Sequence, residues 1–264
     1  MTGHSTISLN GSWQIRPGGP DRATPSGSEP SRVPVPGLVD LASPAYDWQA
    51  FDYHWYTTSF ALDAGQKALP LAMLVIEQAM FGTQVWLNSR LLGGDIGCYT
   101  SQEYDLTPSL VPEGRNDLAV RVGARHTLPP ESAVGKDQER KTFIPGIWGD
   151  VRIECSGIPR VQRIQIIPDI RTGSARADIT VGNPSGQALQ FTYVTRIRER
   201  ATGVLRGELP PYESGIPPYS SLKLSVDIPI DGARLWSPED PFLYRAEVEL
   251  RTGGALTDEA GATF

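Results

Sequence analysis

The side chains with the widest chemical range in this 264-residue sequence are three histidines, His4, His54 and His126, and two cysteines, Cys98 and Cys155. Their spacing decides what they can do. A protein zinc site draws three or four ligands from short intervals, such as cysteines two to four residues apart or two histidines on one helical turn. Here the histidines lie apart, no His-Glu-x-x-His frame occurs, and the cysteines are distant from each other, so no metal site is expected. A serine nucleophile on a tight turn would show as Gly-x-Ser-x-Gly, and a phosphate cradle as a glycine-rich loop opening a helix. Neither pattern is present. His54, beside Trp55, reads as a strand residue hydrogen-bonded within the fold rather than as a base. Cys98 and Cys155 read as buried free thiols, since a chain of this length can bury a core without disulfide staples. No cofactor follows from any of these residues.

Whatever these residues do, β structure must position them. The 27 glycines and 23 prolines are spread through the chain, and few stretches hold a 3.6-residue apolar period for three turns. Short apolar or alternating runs bounded by turn residues predict strands at Leu71 to Glu77, Thr83 to Leu87, Asp117 to Val122, Val151 to Glu154 and Ile164 to Ile167. Their regular spacing predicts an all-β chain of sandwiches. Gly18 to Pro36 has almost nothing apolar before Val33 and is expected to be a surface loop. Ser156-Gly157-Ile158-Pro159 breaks the composition, and a domain boundary is placed there, giving domains at 1–157 and 158–264. In the second part Ala177 to Val181, Ala188 to Glu199 and Leu222 to Ile228 predict further strands, and Pro210 to Pro218 a stiff loop between strands.

Composition excludes several function classes. Hydrophobic residues make up 39% and charged residues 20%, ordinary for a folded globular protein. The net charge of −6, with basic residues scattered, leaves no footprint for nucleic acid or an anionic membrane surface. No run of about 18 apolar residues predicts a membrane span. Met1 to Ser12 is polar and lacks the apolar core of a secretory signal, so a cytoplasmic location is expected.

A set of motifs then gives the chain a family resemblance along nearly its whole length. Leu9-Asn10-Gly11-Ser12-Trp13 opens it, followed by Trp55-Tyr56 before Phe60. Val85-Trp86-Leu87-Asn88, Leu92-Gly93, Gly97-Cys98-Tyr99-Thr100, Tyr104-Asp105-Leu106-Thr107 and Gly114 to Val122 follow in order. Ile144 to Val151, containing Gly146-Ile147-Trp148, and Leu235-Trp236-Ser237-Pro238-Glu239 through Leu243-Tyr244 complete the series. In order and spacing these resemble the family-two glycoside hydrolases, which include β-galactosidases, β-glucuronidases and β-mannosidases. The resemblance implies a sugar-binding jelly-roll β-sandwich followed by an immunoglobulin-like β-sandwich. Most of the motif residues read as scaffold. Trp13, Trp55, Trp86 and Trp148 are expected to pack as core, each burying roughly 150–250 Å². Asn88-Ser89 stands where Asn-Gly is usual and is expected to turn a hairpin through positive φ. Asp105 is expected to cap neighbouring amides, and Pro238 and Pro241 to fix a segment whose apolar faces are Trp236 and Tyr244.

The resemblance also implies what is not to be sought in this chain. Retaining glycoside hydrolysis needs two carboxyl groups about 5–5.5 Å apart, in this family two glutamates on a (β/α)₈ barrel of about 250 residues. The acid/base glutamate of the family follows an asparagine, whereas Asn10, Asn88, Asn116 and Asn183 are followed by Gly11, Ser89, Asp117 and Pro184. The expected role is therefore that of a non-catalytic region supporting the sugar site of a barrel that lies outside this sequence. Two loops are implied to approach the sugar. Glu131 to Phe143 offers Asp137 and Arg140, and Tyr46 to Tyr53 offers Asp47 and Trp48, a mixture of hydrogen-bonding groups and an aromatic face. The partners so implied are a β-glycoside and the catalytic barrel. Two other readings remain open: a free-standing carbohydrate-binding module, which exposed aromatics on a sheet face would favour, and a structural interaction domain, which a large apolar patch would favour.

Overall fold

A computed structural model describes residues 3–20, 29–134 and 142–264. The chain divides into two compact units, Thr6–Cys155 and Ser156–Phe264, the second joined by Met1–Ser5.

In the first unit a four-stranded sheet runs in the order β1 (His4–Ser8), β13 (Val151–Ser156), β6 (Leu71–Ile76), β10 (Gln102–Asp105). A six-stranded sheet runs β3 (Ser31–Val35), β2 (Gly11–Gly18), β5 (Tyr53–Phe60), β11 (Asn116–Gly123), β8 (Thr83–Leu87), β9 (Arg90–Asp95). The short strands β4 (Gly37–Leu38), β12 (Gly146–Ile147) and β7 (Ala79–Met80) form a third ladder. Alternation explains the sandwich. Trp13, Ile15, Tyr56, Val85, Leu87, Leu118 and Val120 from the large sheet share one core with Leu74, Ile76, Tyr104, Val151 and Ile153 from the smaller one. The intervening residues of each strand are left on the outer face.

Most of the predicted strands form here, and two expectations fail in detail. Gly18 to Pro36 is not wholly a loop, because Ser31, Val33 and Val35 point inward as β3 while Arg32 and Pro34 point out. Pro34 is accommodated because β3 is an edge strand, where a missing N–H breaks no ladder. The tryptophans also divide. Trp13 lies in the core, its indole N–H donating to Leu9 O at 2.7 Å. Trp55 is buried as expected, 6% exposed, but on the other face of the large sheet against the half-buried Trp86, and Trp148 is 36% exposed against Tyr99.

The turn readings hold. The β8–β9 hairpin turns on Asn88 and Ser89 with φ of 49° and 67°. The Asn88 side chain spans three partners, accepting from Asp117 N and donating to Ser109 O and Asn116 Oδ1. Asp105 accepts from Thr107 N at 2.9 Å. Cys98 and Cys155 are buried free thiols, and burial pushes the Cys155 thiol up to about 11.

The second unit pairs β14 (Arg160–Asp169), β15 (Ser174–Asn183) and β19 (Ser220–Pro229) in one sheet. The other sheet contains β16 (Leu189–Glu199), β20 (Tyr244–Thr252) and β21 (Ala255–Thr263), with β17 (Leu205–Glu208) and β18 (Tyr212–Ile216) pairing successive parts of β16. Its core joins Ala177, Ile179 and Val181 of β15 to Phe191 and Ile197 of β16 and Val248 and Leu250 of β20. The segment Pro210 to Pro218 is thus more than a stiff loop: between its prolines, Tyr212 to Ile216 has free N–H groups to add to β16. In the Leu235 to Tyr244 segment, Tyr244 is buried as expected, but Trp236 is 58% exposed.

The first residues belong to this unit through hydrogen bonds. Gly157 N donates to Gly3 O, and His4 Nδ1 lies 2.7 Å from Asp258 Oδ1, whose second oxygen accepts from Val161 N at 2.6 Å.

Candidate carbohydrate site

Strands β5 and β11 end side by side, Tyr53 opposite Gly123, and the chain before the one and after the other builds a recess at that end of the sandwich. The segment before β5 turns through one 3₁₀ turn, Trp48–Ala50, closed by Phe51 N donating to Trp48 O. Ala124 N donates to Asp52 O at 2.7 Å, tying that segment to the start of a second 3₁₀ turn, Arg125–Thr127. Phe143 completes the wall. Its ring lies 6.2 Å from Phe81 and carries the Arg125 guanidinium 3.9 Å above its centroid. The result is a recess of about 560 Å³ lined by Trp48, Phe51, Arg125, His126, Ser132 and Phe143 among others, within the size range of small-molecule sites.

Electrostatics separate two histidines here. His126 Nε2 is 2.7 Å from Asp52 Oδ1, and both side chains are exposed at the mouth of the recess. His54 is fully buried, with Nδ1 2.8 Å from the Tyr46 hydroxyl and, among the described residues, no partner for Nε2. Burial pushes its imidazole down to about 4 and raises the Tyr46 phenol, so both are neutral around pH 7. His54 is therefore half satisfied, and its neutral ring positions Tyr46, which packs edge-on to Phe51.

The recess joins the two loops singled out in the sequence. Trp48 lines it, half-buried. Asp47 precedes the 3₁₀ turn, is exposed, and is not among the lining residues. Asp137 and Arg140 lie outside the described residues. Sequence reasoning missed Arg125 and His126, whose one signal was a pair of basic side chains directly after the apolar β11 run. Aromatic faces beside an imidazole–carboxylate pair, a guanidinium and a hydroxyl can stack on a pyranose and hydrogen-bond its hydroxyls. Among the described residues no cluster of three or more histidine, cysteine or acidic side chains could hold a metal, and no helix is long and apolar enough to cross a membrane.

The model of the glycosyl hydrolases family 2 matches residues 160–264. The β-galactosidase large subunit of Leuconostoc lactis is 29% identical over 203 residues, covering 74% of this chain and 29% of that protein. The second unit of the chain is thus similar to glycosyl hydrolase family 2. The β-galactosidase of Halalkalibacterium halodurans is 30% identical over 173 residues, 63% of this chain and 15% of the relative. The crystal structure of Bacteroides uniformis β-glucuronidase superposes with a TM-score of 0.76 at 23% identity, covering 98% of this chain and 32% of that one. The likeness supports the two-sandwich fold. The chain spans about a third or less of each of these proteins.

Proposed function

We propose that the chain is the non-catalytic region of a retaining β-glycosidase, a jelly-roll domain at 1–157 and an immunoglobulin-like domain at 158–264 that support and shape the sugar site of a (β/α)₈ barrel. The observation that carries the reading is the recess between the 46–53 loop and the segments around Arg125 and Phe143, which presents stacking faces and hydrogen-bonding groups together. In the proposed enzyme Trp48 stacks on the substrate, and Asp47, Asp137 and Arg140 supply polar contacts from the two loops. A second feature fits the same role. On the second unit, Ile170, Leu235 and Trp236 are 71%, 57% and 58% exposed around a recess of about 330 Å³ that Phe242 also lines. Side chains of this kind gain by packing against another domain.

The test is to read the gene beyond the codon for Phe264 and to assay the full product on aryl β-galactosides and β-glucuronides. An open frame encoding a barrel with an Asn-Glu motif, and activity lost on replacing that glutamate by Gln, is the expected result. A stop codon directly after Phe264 would overturn the proposal.

A further inference from the structure

We infer that the outer face of the six-stranded sheet is a second carbohydrate site, separate from the loop recess, that takes a segment of a neutral β-linked polysaccharide. The register sets out this face rung by rung. One rung reads Arg32, Gln14, Thr57, Ala119, Trp86 across β3, β2, β5, β11 and β8. The neighbouring rung on one side places Trp55 between Arg16 and Arg121. The rung on the other side pairs Ser59 with Asp117. Small side chains, Thr57, Ser59 and Ala119, thus occupy the middle, while tall ones stand around them. The consequence is a depression of about 720 Å³ on a sheet face, lined by Ser12, Gln14, Arg32, Trp55, Trp86 and Asp117 among others.

The chemistry of the lining selects the ligand. Trp55 and Trp86 sit with ring centroids 4.6 Å apart at 38°, forming an aromatic wall on the outer face of the sheet. Trp55 is fixed there by its indole N–H, which donates to Gly19 O at 3.1 Å. Trp55 is itself buried, 6% exposed, so the apolar area offered outward is that of the half-buried Trp86 indole packed against it. A pyranose with equatorial substituents has the matching apolar C–H face, and its hydroxyl rim meets the hydroxyl, amide, guanidinium and carboxylate groups of Ser12, Ser59, Gln14, Arg32 and Asp117. Arg115 and Asp117 pair with each other at 3.0 Å, which leaves the rim mixed in sign and suits an uncharged ligand better than a phosphate or a uronate. Five strands at about 4.8 Å spacing make the depression about 19 Å across, room for several consecutive sugar rings lying across the strands.

The experiment uses the full chain and four probes: cellohexaose, xylohexaose, mannohexaose and β-1,4-galactohexaose, titrated calorimetrically, with sedimentation run in parallel. At least one should bind, and Trp86→Ala should weaken it tenfold or more. Ala119→Trp, which fills the floor without removing a side chain from the core, should do the same while leaving the circular dichroism and denaturation midpoint unchanged. Arg196→Met, in the second unit, should leave this affinity unaltered. No binding by any probe at millimolar concentration would overturn the inference, as would binding that survives Ala119→Trp. Self-association abolished by Ala119→Trp, without glycan binding, would instead assign the face to a second copy of the chain and equally overturn it.

Discussion

The two sandwiches obey the same alternation rule and use their outer faces differently. In the first unit the outer face of the large sheet carries indoles, hydroxyls and amides around a depression. In the second, the outer face of β16, β17 and β20 carries an ionic lattice. Arg196 bridges Glu208 and Glu249, Arg198 pairs with Glu247 at 3.0 Å, and Arg251 closes on Glu249. A lattice of paired charges satisfies itself and presents little for a sugar to displace. Aromatic and hydroxyl groups without such pairing leave capacity for a ligand. Recognition therefore tracks what the outward positions hold, while both inward faces do the same work of closing a core.

If that division is right, variants at inward positions should act on stability in either unit, and only variants at the recesses of the first should act on sugar binding. The largest effects are expected inward. Trp13→Ala should cost about 3–5 kcal/mol and Ile179→Ala about 2–5 kcal/mol, read by urea denaturation. A cost below 1 kcal/mol at either would break the equivalence of the two cores.

Next comes His54, whose folded pKa of about 4 lies below the ordinary 6.5. The unfolded chain then binds more protons between those values, so the neutral ring's contribution is complete above about pH 6.5 and is lost as pH falls toward 4. The loss is on the order of 3 kcal/mol. His54→Gln should flatten that acid limb of the stability–pH curve, and an unchanged limb would show that another group produces it.

Trp48→Ala should lower the specificity constant of the complete enzyme, or its affinity for a sugar, about tenfold, equivalent to about 1.4 kcal/mol, with a stability change below about 1 kcal/mol. Equal losses in stability and binding would reduce the recess to packing.

Smaller still, Ser89→Gly should stabilise the first unit. A φ of 67° costs an L-residue about 1–2 kcal/mol, glycine loses about 0.5–1 kcal/mol of chain entropy, and the balance is a gain of about 0.5–1 kcal/mol, read as a raised denaturation midpoint. Last, Arg196→Met should cost about 1 kcal/mol or less and lose most of that at high salt. A larger, salt-independent loss would mean the lattice supports the core.

Strands and their inward faces were readable because burial imposes a period of two on neighbouring residues, as in Leu118, Val120 and Val122. The turn at Asn88-Ser89 was readable because few residue pairs tolerate positive φ in succession. The β3 strand was not, since three inward residues separated by Arg32 and Pro34 are too few and too polar to stand out beside a glycine- and proline-rich run. Nor could the sequence show which tryptophans face out, because parity within a strand is known only once its register is. Trp55 and Tyr56 are both apolar and both buried, yet Tyr56 packs in the core between the sheets and Trp55 on the opposite face. The site was legible as a loop, through Trp48, but its opposite wall was not. Arg125 meets Phe143 through a contact between segments that local patterning does not record.

The pairing of His4 with Asp258 spans 254 positions of the chain. During synthesis, the segment around His4 leaves the ribosome long before β21 exists, and so waits without the partner that Asp258 supplies. Closing so long a span costs little more at equilibrium than closing one half its length, about 0.6 kcal/mol. The toll is in order of events: the immunoglobulin-like unit receives its first-made residues only after its last-made strand, and its completion is timed by the end of translation of this region rather than by the emergence of its own first strand.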